Sequence, residues 1–197
     1  MGLREKKKLE TRQALSDAAL FLAVERGLDN VFVEDIAAAA NVSPRTFNNY
    51  FSSKYEAIVW RASQRTVRLA EELRERPESE PLWDAISHAA LKQFEGADPP
   101  GERWQAGVRL LLETPALQAE ILKVSLSEED ALTAAIAERT ATDAERDMLP
   151  RLIAGAVGLA IQVATRQWLR ADPPVALKTL LREAFAQLSQ GLEQERK

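Results

Sequence analysis

An all-α chain of about nine helices in two blocks is what this sequence predicts. Three observations carry that expectation. No stretch of about four to eight residues alternates apolar and polar side chains as a half-buried strand would. Apolar residues instead recur at helical spacing along the whole chain. The interruptions are glycine, proline and short polar runs, placed where helices end. The 197 residues are 46% hydrophobic and 28% charged, a balance that supports one or two packed domains.

Taken in order, the first helix runs from about Leu9 to Arg26, with Leu15, Ala18, Ala19 and Leu22 on one face and Gly27 placed to end it in a left-handed turn. After Leu28–Val31 a short helix, Val33 to Ala40, turns Ile36, Ala37 and Ala40 inward. Asn41-Val42 leads to a third short helix opening at Ser43-Pro44, a preferred cap followed by a preferred first helical residue. A long helix follows from Lys54 to Arg76, stopped by Pro77. The remaining expected helices are Leu82–Glu95, Glu102–Glu113, Pro115–Glu138, Asp143–Arg170 and Pro174–Gln194. Gly96 to Gly101, Thr114-Pro115, Thr140 to Thr142 and Asp172-Pro173-Pro174 separate them.

Composition removes most catalytic chemistry. There is no cysteine and one histidine, His88. Disulfides, thiolate metal sites, cysteine nucleophiles and two-histidine metal motifs are therefore excluded, and neither a metal nor a cofactor is expected. A helical hydrolase could draw only on Ser87 and Asp84 beside His88, which share one helix face and lack the geometry of a triad. Met1 to Leu9 is charged and unlike a secretory signal. The longest uncharged run, Leu152 to Thr165, falls short of the ~20 apolar residues that span a bilayer. A cytoplasmic protein with no membrane role is the expectation.

The formal net charge of −4 argues against a polyanionic partner until it is divided along the chain. Residues 1–54 carry eight basic and seven acidic side chains, and residues 1–12 alone carry five basic and two acidic ones. The remainder is acidic, at −5. A short basic N-terminus on its own is as readily a solvated tail.

Three short helices followed by a long one, with a three-residue turn between the second and third, form the pattern of a helix-turn-helix unit that reads double-stranded DNA. Asn41 suits the turn because Asn visits positive φ more readily than most non-glycine residues. Phe47 and Phe51, one turn apart, would face inward against Ile36. Arg45 and Asn49 then fall on the opposite face, flanked by Asn48 and Thr46. Arg pairs bidentately with guanine and Asn with adenine, which suits a major groove. Ser43, Thr46, Tyr50 and Lys54 stand at the margins, where hydroxyls and an ammonium would meet phosphate and set register. An ordinary helical hairpin with a wet polar face is the alternative.

Residues 11–58 resemble the N-terminal domain of the TetR family of repressors. The resemblance lies in Val33-Glu34-Asp35-Ile36-Ala37, then Val42-Ser43-Pro44-Arg45-Thr46-Phe47-Asn48-Asn49-Tyr50-Phe51, then Ser53-Lys54. It implies that Pro44, Arg45, Asn48 and Asn49 face bases, that Thr46, Tyr50 and Lys54 contact phosphates, and that Arg4 to Lys8 belong to an arm following the DNA backbone. Two positions depart from the family: Phe32 stands where a capping Thr or Ser is usual, and Asn48 where an aromatic residue is common. The resulting division is a DNA-binding domain over 1–54, with a basic arm over 1–12, and an effector-binding and dimerisation domain over 55–197.

The same resemblance implies a homodimer joined through its last helices and bound to a pseudo-palindromic operator, as two recognition helices in successive major grooves require. Leu149 to Ala164 is apolar nearly all round, with Gly155, Ala156, Gly158 and Ala160 permitting close approach. Leu177, Leu180, Leu181, Ala184, Phe185 and Leu188 stripe the last helix. Ordinary monomer core is the other reading of both. For a small effector, the candidate pocket residues are Trp83, Phe94, Trp104, Leu111, Gln162 and Arg166, with His88, Thr165 and Trp168 nearby. Residues 104–170 further resemble TetR regulators grouped as acyl-CoA-like ligand-binding (MftR-type) factors, which implies an apolar tail in the bundle and an anionic head met by Arg103, Arg109 or Arg166. Drug-like and other hydrophobic effectors remain open at this point, as does a helical lipid-binding protein without a DNA role.

Overall fold

A computed structural model describes residues 2–94 and 101–191, without the side chains of 125–130. The expected break at Gly96 to Pro100 lies outside the described residues, and the last helix ends at Ser189 and not at Gln194. The fold is all-α. Its helices are α1 (Leu3–Arg26), α2 (Val33–Ala39), α3 (Pro44–Asn48), α4 (Lys54–Glu75), α5 (Leu82–Lys92), α6 (Glu102–Glu113), α7 (Pro115–Thr140), α8 (Met148–Arg170) and α9 (Leu177–Ser189), with a 3-10 turn at Leu28–Asn30.

Three helix starts differ from the expectation. α1 begins at Leu3, so the basic segment Arg4 to Lys8 is helical and exposed instead of a tail. Its first turn is held by Glu5, whose carboxylate accepts the Gly2 N–H at 3.3 Å. α8 begins at Met148 because Asp143 and Asp147 bind backbone amides ahead of it: Asp147 takes the Asp143 N–H at 2.7 Å, and Asp143 takes those of Glu145 and Arg146 at 2.9 and 3.1 Å. α9 begins three residues late, at Leu177, past Pro173 and Pro174.

The chain forms two compact units, Met1–Gln64 with Gly101–Val124, and Arg65–Pro100 with Ser125–Lys197. α4 and α7 each contribute to both. In the first unit, Leu15, Leu22, Val31, Ile36, Phe47, Phe51, Ile58, Trp60 and Leu117 build one core. α6 packs on α1 at Gly107, where an added Cβ would stand 3.6 Å from the Leu20 side chain. Gly27, at φ +79° and ψ 145°, turns the chain out of α1 in a conformation open to glycine rather than in a left-handed helical cap.

In the second unit α9 packs on α8 and α5. Leu177, Leu180, Leu181 and Phe185 are buried, so much of the α9 stripe that a dimer could have claimed is filled by the chain itself. α8 behaves differently. It buries Ile153, Val157, Ala160, Ala164 and Trp168 and exposes Met148, Leu149, Leu152, Leu159 and Val163. By length and composition α8 could cross a membrane, with mean hydropathy 1.5 over its most apolar window. The uncharged run in the sequence is shorter only because Arg151 and Arg166 interrupt a helix that continues past both.

Candidate nucleic-acid interface

The helix-turn-helix is set by its turn. Ala40 ends α2, Asn41 takes φ +60°, and the Val42 N–H reaches back to the Ala37 carbonyl at 2.9 Å. Ser43 then caps α3: its hydroxyl accepts the Thr46 N–H at 3.1 Å and shares a 2.9 Å bond with the Thr46 hydroxyl, while Pro44 occupies the first helical position. α3 is only five residues long, too short to stand by propensity. It is held by Phe47, fully buried, and by Phe51 just beyond it, their ring centroids 5.8 Å apart, with Trp60 of α4 edge-on to Phe51 at 6.2 Å.

With the aromatic side turned in, Pro44, Arg45, Asn48 and Asn49 are all exposed together on the outer side. Ser43 is exposed, and Thr46 and Tyr50 are half-buried at the margins. The bond between the Ser43 and Thr46 hydroxyls uses one of their two protons, so one of the pair can still donate to a phosphate.

Lys54 stands otherwise than the spacing suggested. Its ammonium donates to the Leu28 carbonyl at 2.8 Å and the Val31 carbonyl at 2.9 Å, and lies 5.6 Å from the Tyr55 ring centroid. Two of its three donors are thus spent inside the fold. The start of α4 is likewise occupied by side chains. Glu56 accepts the Ser52 N–H at 2.8 Å and its hydroxyl at 2.7 Å, and Ser53 accepts the Glu56 N–H at 3.1 Å. Phe32, which cannot cap α2, is 61% exposed and makes no side-chain cap bond; Asp35 instead satisfies the Phe32 N–H, accepting it at 3.1 Å. Sequence reasoning missed these caps and Arg12, whose guanidinium lies 5.1 Å from the Phe51 ring centroid and 5.2 Å from that of Trp60. The signal was a Ser-x-x-x-Glu spacing and a cation one helix away.

The six candidate pocket residues are divided between the two units. Trp104 and Leu111 belong to the first unit, where Leu111 packs against the helix-turn-helix core. Trp83, Phe94, Gln162 and Arg166 belong to the second. There Phe94 is buried beneath the Arg65 guanidinium at 5.2 Å, Trp83 is half-buried, and Gln162 and Arg166 are exposed one turn apart on α8. An open cleft of about 700 Å³ at the end of α8 includes Arg166 and Arg170 beside Val163, Val175 and Leu180, with Asp172 on its rim. A second, of about 510 Å³, lies between α1 and α6 and carries Glu102, Gln105 and Arg109.

His88 and Asp84 do not pair, contrary to their spacing. His88 Nδ1 meets Glu80 at 2.7 Å and Arg76 at 3.3 Å, and Arg76 grips Glu80 with two bonds of 2.7 Å. Arg139 adds bonds to the carbonyls of Arg76, Pro77 and Glu80, tying the α4–α5 turn to the end of α7. The Glu80 carboxyl is pulled down to about 2, first by the hydrogen bonds from Arg76 and then by His88. This cluster is a clasp on the turn.

The sequence has close and distant likenesses. Residues 15–57 match the profile of the tetR family of bacterial regulatory proteins, and residues 80–193 match that of the MftR C-terminal domain. The chain is 34% identical over 203 residues to the transcriptional regulator TcmR of Streptomyces glaucescens, covering 94% of this chain and 89% of that protein. It is 31% identical over 186 residues to MftR of Mycobacterium tuberculosis, a proposed regulator of mycofactocin biosynthesis, with 93% and 91% covered. Among solved structures, the repressor FadR of Thermus thermophilus in complex with lauroyl-CoA shares the fold with TM-score 0.60 and 20% identity, over 94% of this chain and 97% of that one.

Proposed function

The chain belongs to the TetR family of bacterial regulatory proteins and is a DNA-binding transcriptional regulator with an MftR-type C-terminal domain, and from that premise we propose that it is a homodimeric repressor released from a pseudo-palindromic operator by a hydrophobic or acyl-CoA-like effector. Membership sets aside both the helical hydrolase and the lipid carrier without a DNA role. Residues 1–54 read DNA in this proposal, and residues 55–197 dimerise and take the effector.

One observation carries the reading: Pro44, Arg45, Asn48 and Asn49 are exposed together on a helix anchored from behind by buried Phe47 and Phe51. Preorganised donors on a rigid element discriminate bases; loose ones do not. Pro44, Arg45, Asn48 and Asn49 meet base edges, and Ser43, Thr46 and Tyr50 meet phosphate. The helical basic segment at the start of α1 follows the backbone.

The outward apolar face of α8 supports a second copy as partner. Leu152 and Leu159 are 64% and 59% exposed, and a Cβ on Gly158 would meet nothing within 4 Å. A stripe of that kind on a regulator is an interface. For the effector, the alanine-rich interior of the second unit suits an apolar tail, and Arg166 and Arg170 suit an anionic head. That a repressor of the same fold is known with lauroyl-CoA makes acyl-CoA the first probe. Release requires that the effector bind the DNA-free conformation more tightly, by as much as operator affinity falls.

Selection of duplexes from a random-sequence pool by the full-length chain, followed by footprinting, tests the DNA reading; a symmetric protected site is the expected result. Adding lauroyl-CoA to that complex then tests the effector. Release supports the acyl-CoA reading, and binding without release overturns the switch.

A further inference from the structure

We propose that the two copies of the dimer meet along α8 in opposite directions, with the two-fold axis passing beside Gly155 and Ala156, so that Leu152 of each copy packs on Leu159 of the other. The inference rests on the dimer reading above and adds its direction and register.

The outward face of α8 reads the same in both directions. Met148, Leu152, Leu159 and Val163 are each more than half exposed. At helical spacing these four fall, with Gly155 and Ala156, within an arc of about 100°. The Gly155-Ala156 pair is the middle of that row. Leu152 and Leu159 stand equally far from it on either side, and Met148 and Val163 stand equally far beyond them. Reversing the helix therefore returns the same order: large, large, small, large, large. A surface that a two-fold axis brings against itself must be self-complementary in this way, whereas an unrelated partner makes no such demand. The centre also leaves room for a second backbone. Gly155 and Ala156 are only half-buried, and a Cβ on neighbouring Gly158 would meet nothing within 4 Å. Two helices can approach to about 8 Å at such a point, with the leucines interlocking on either side of it.

Charge decides the direction. The approach to α8 carries Asp143, Glu145 and Asp147 against the single cation Arg146, all of them exposed, and the far end of the helix exposes Arg166 and Arg170. Copies running in opposite directions bring each acidic end beside a basic one. Copies running in the same direction set like charge against like at both ends, which is repulsive. The complementarity acts through the field at the helix ends and needs no direct bond, so Arg166 and Arg170 keep their place in the cleft for an anionic head.

The chain has no cysteine, so a single introduced one reports its own neighbour. A disulfide closes only where the two Cα atoms stand within about 7 Å. Ala156→Cys in the full-length chain lies beside the axis, and mild oxidation with glutathione disulfide should shift it from a one-chain to a two-chain band on a non-reducing gel. Leu152→Cys and Leu159→Cys should each remain one-chain bands, because each position faces the other and not itself. The variant carrying both should link between copies, since positions about 10 Å apart along one helix cannot bridge within it. Asp84→Cys, exposed on α5, gives the background of chance collisions. Linking by Leu152→Cys or Leu159→Cys alone overturns the proposal, because it places the helices in the same direction. An Ala156→Cys band no stronger than the Asp84→Cys background overturns it too, as does a double variant that fails to link. Sedimentation of the unsubstituted chain separates this inference from the reading it rests on: a monomer overturns both, and a dimer without the Ala156→Cys link overturns the register alone.

Discussion

Around α3 in the first unit the aromatic and aliphatic side chains are enclosed beneath an exposed polar face, whereas α8 in the second unit leaves a row of large apolar side chains outside. Phe47, Phe51, Ile36 and Ile58 are buried beneath Arg45, Asn48 and Asn49. α8 leaves Leu149, Leu152, Leu159 and Val163 to the outside, over an interior in which Ala85, Ala89, Ala90, Ala135, Ala154 and Ala164 are frequent. The cores differ to match. Interlocked aromatic rings hold a five-residue helix in one place, as reading base edges demands. An interior of small side chains is held by less area per residue and is easier to rearrange. If the proposed dimer forms through α8, one region is built to stay as it is and the other to be completed by the second copy.

The contrast can be broken most strongly on α8. Leu152→Glu combined with Leu159→Glu should leave a helical, folded protomer but abolish the dimer in sedimentation, with operator affinity falling roughly 10²–10⁴-fold as the second half-site is lost. A double variant that stays dimeric would mean the outward face is not the interface. In the first unit the equivalent blow falls on the core. Phe47→Ala should lose about 3–5 kcal/mol in chemical denaturation and operator binding with it.

Smaller effects sharpen the comparison. Arg45→Ala and Asn49→Ala, both exposed, should melt like the parent yet lose about 1–3 kcal/mol of discrimination each, confined to one base position per half-site. The smallest concerns the clasp on the α4–α5 turn. Because the Glu80 carboxyl is lowered from 4.5 to about 2, its contribution to stability is complete above about pH 4.5 and is lost as pH falls toward 2. Glu80→Gln should flatten that part of the melting-temperature profile and leave neutral-pH DNA binding unchanged.

Much of the DNA-binding block was legible because its signals are local. Ser43-Pro44 marks a helix start, Asn41 a positive-φ turn, and Phe47 and Phe51 one buried side, each decided within a few residues. For Lys54 the same local logic could not show the intrachain partners of its ammonium, because the carbonyls of residues 28 and 31 lie more than twenty residues away. His88 pairs with Glu80 and Arg76 across a turn, where helical spacing alone pointed to Asp84. The α9 stripe has the same period whether it faces its own α5 and α8 or another chain.

What the sequence determined by itself is therefore the class of fold, the helix-turn-helix and the exposed polar face of α3, because caps, turns and 3.6-residue periodicity act over short stretches of chain. Tertiary structure alone decided which apolar stripe is core and which is exposed, and which groups Lys54 and His88 meet. Both depend on what packs against a side chain from a distant element, and periodicity records only that a face is apolar, not what covers it.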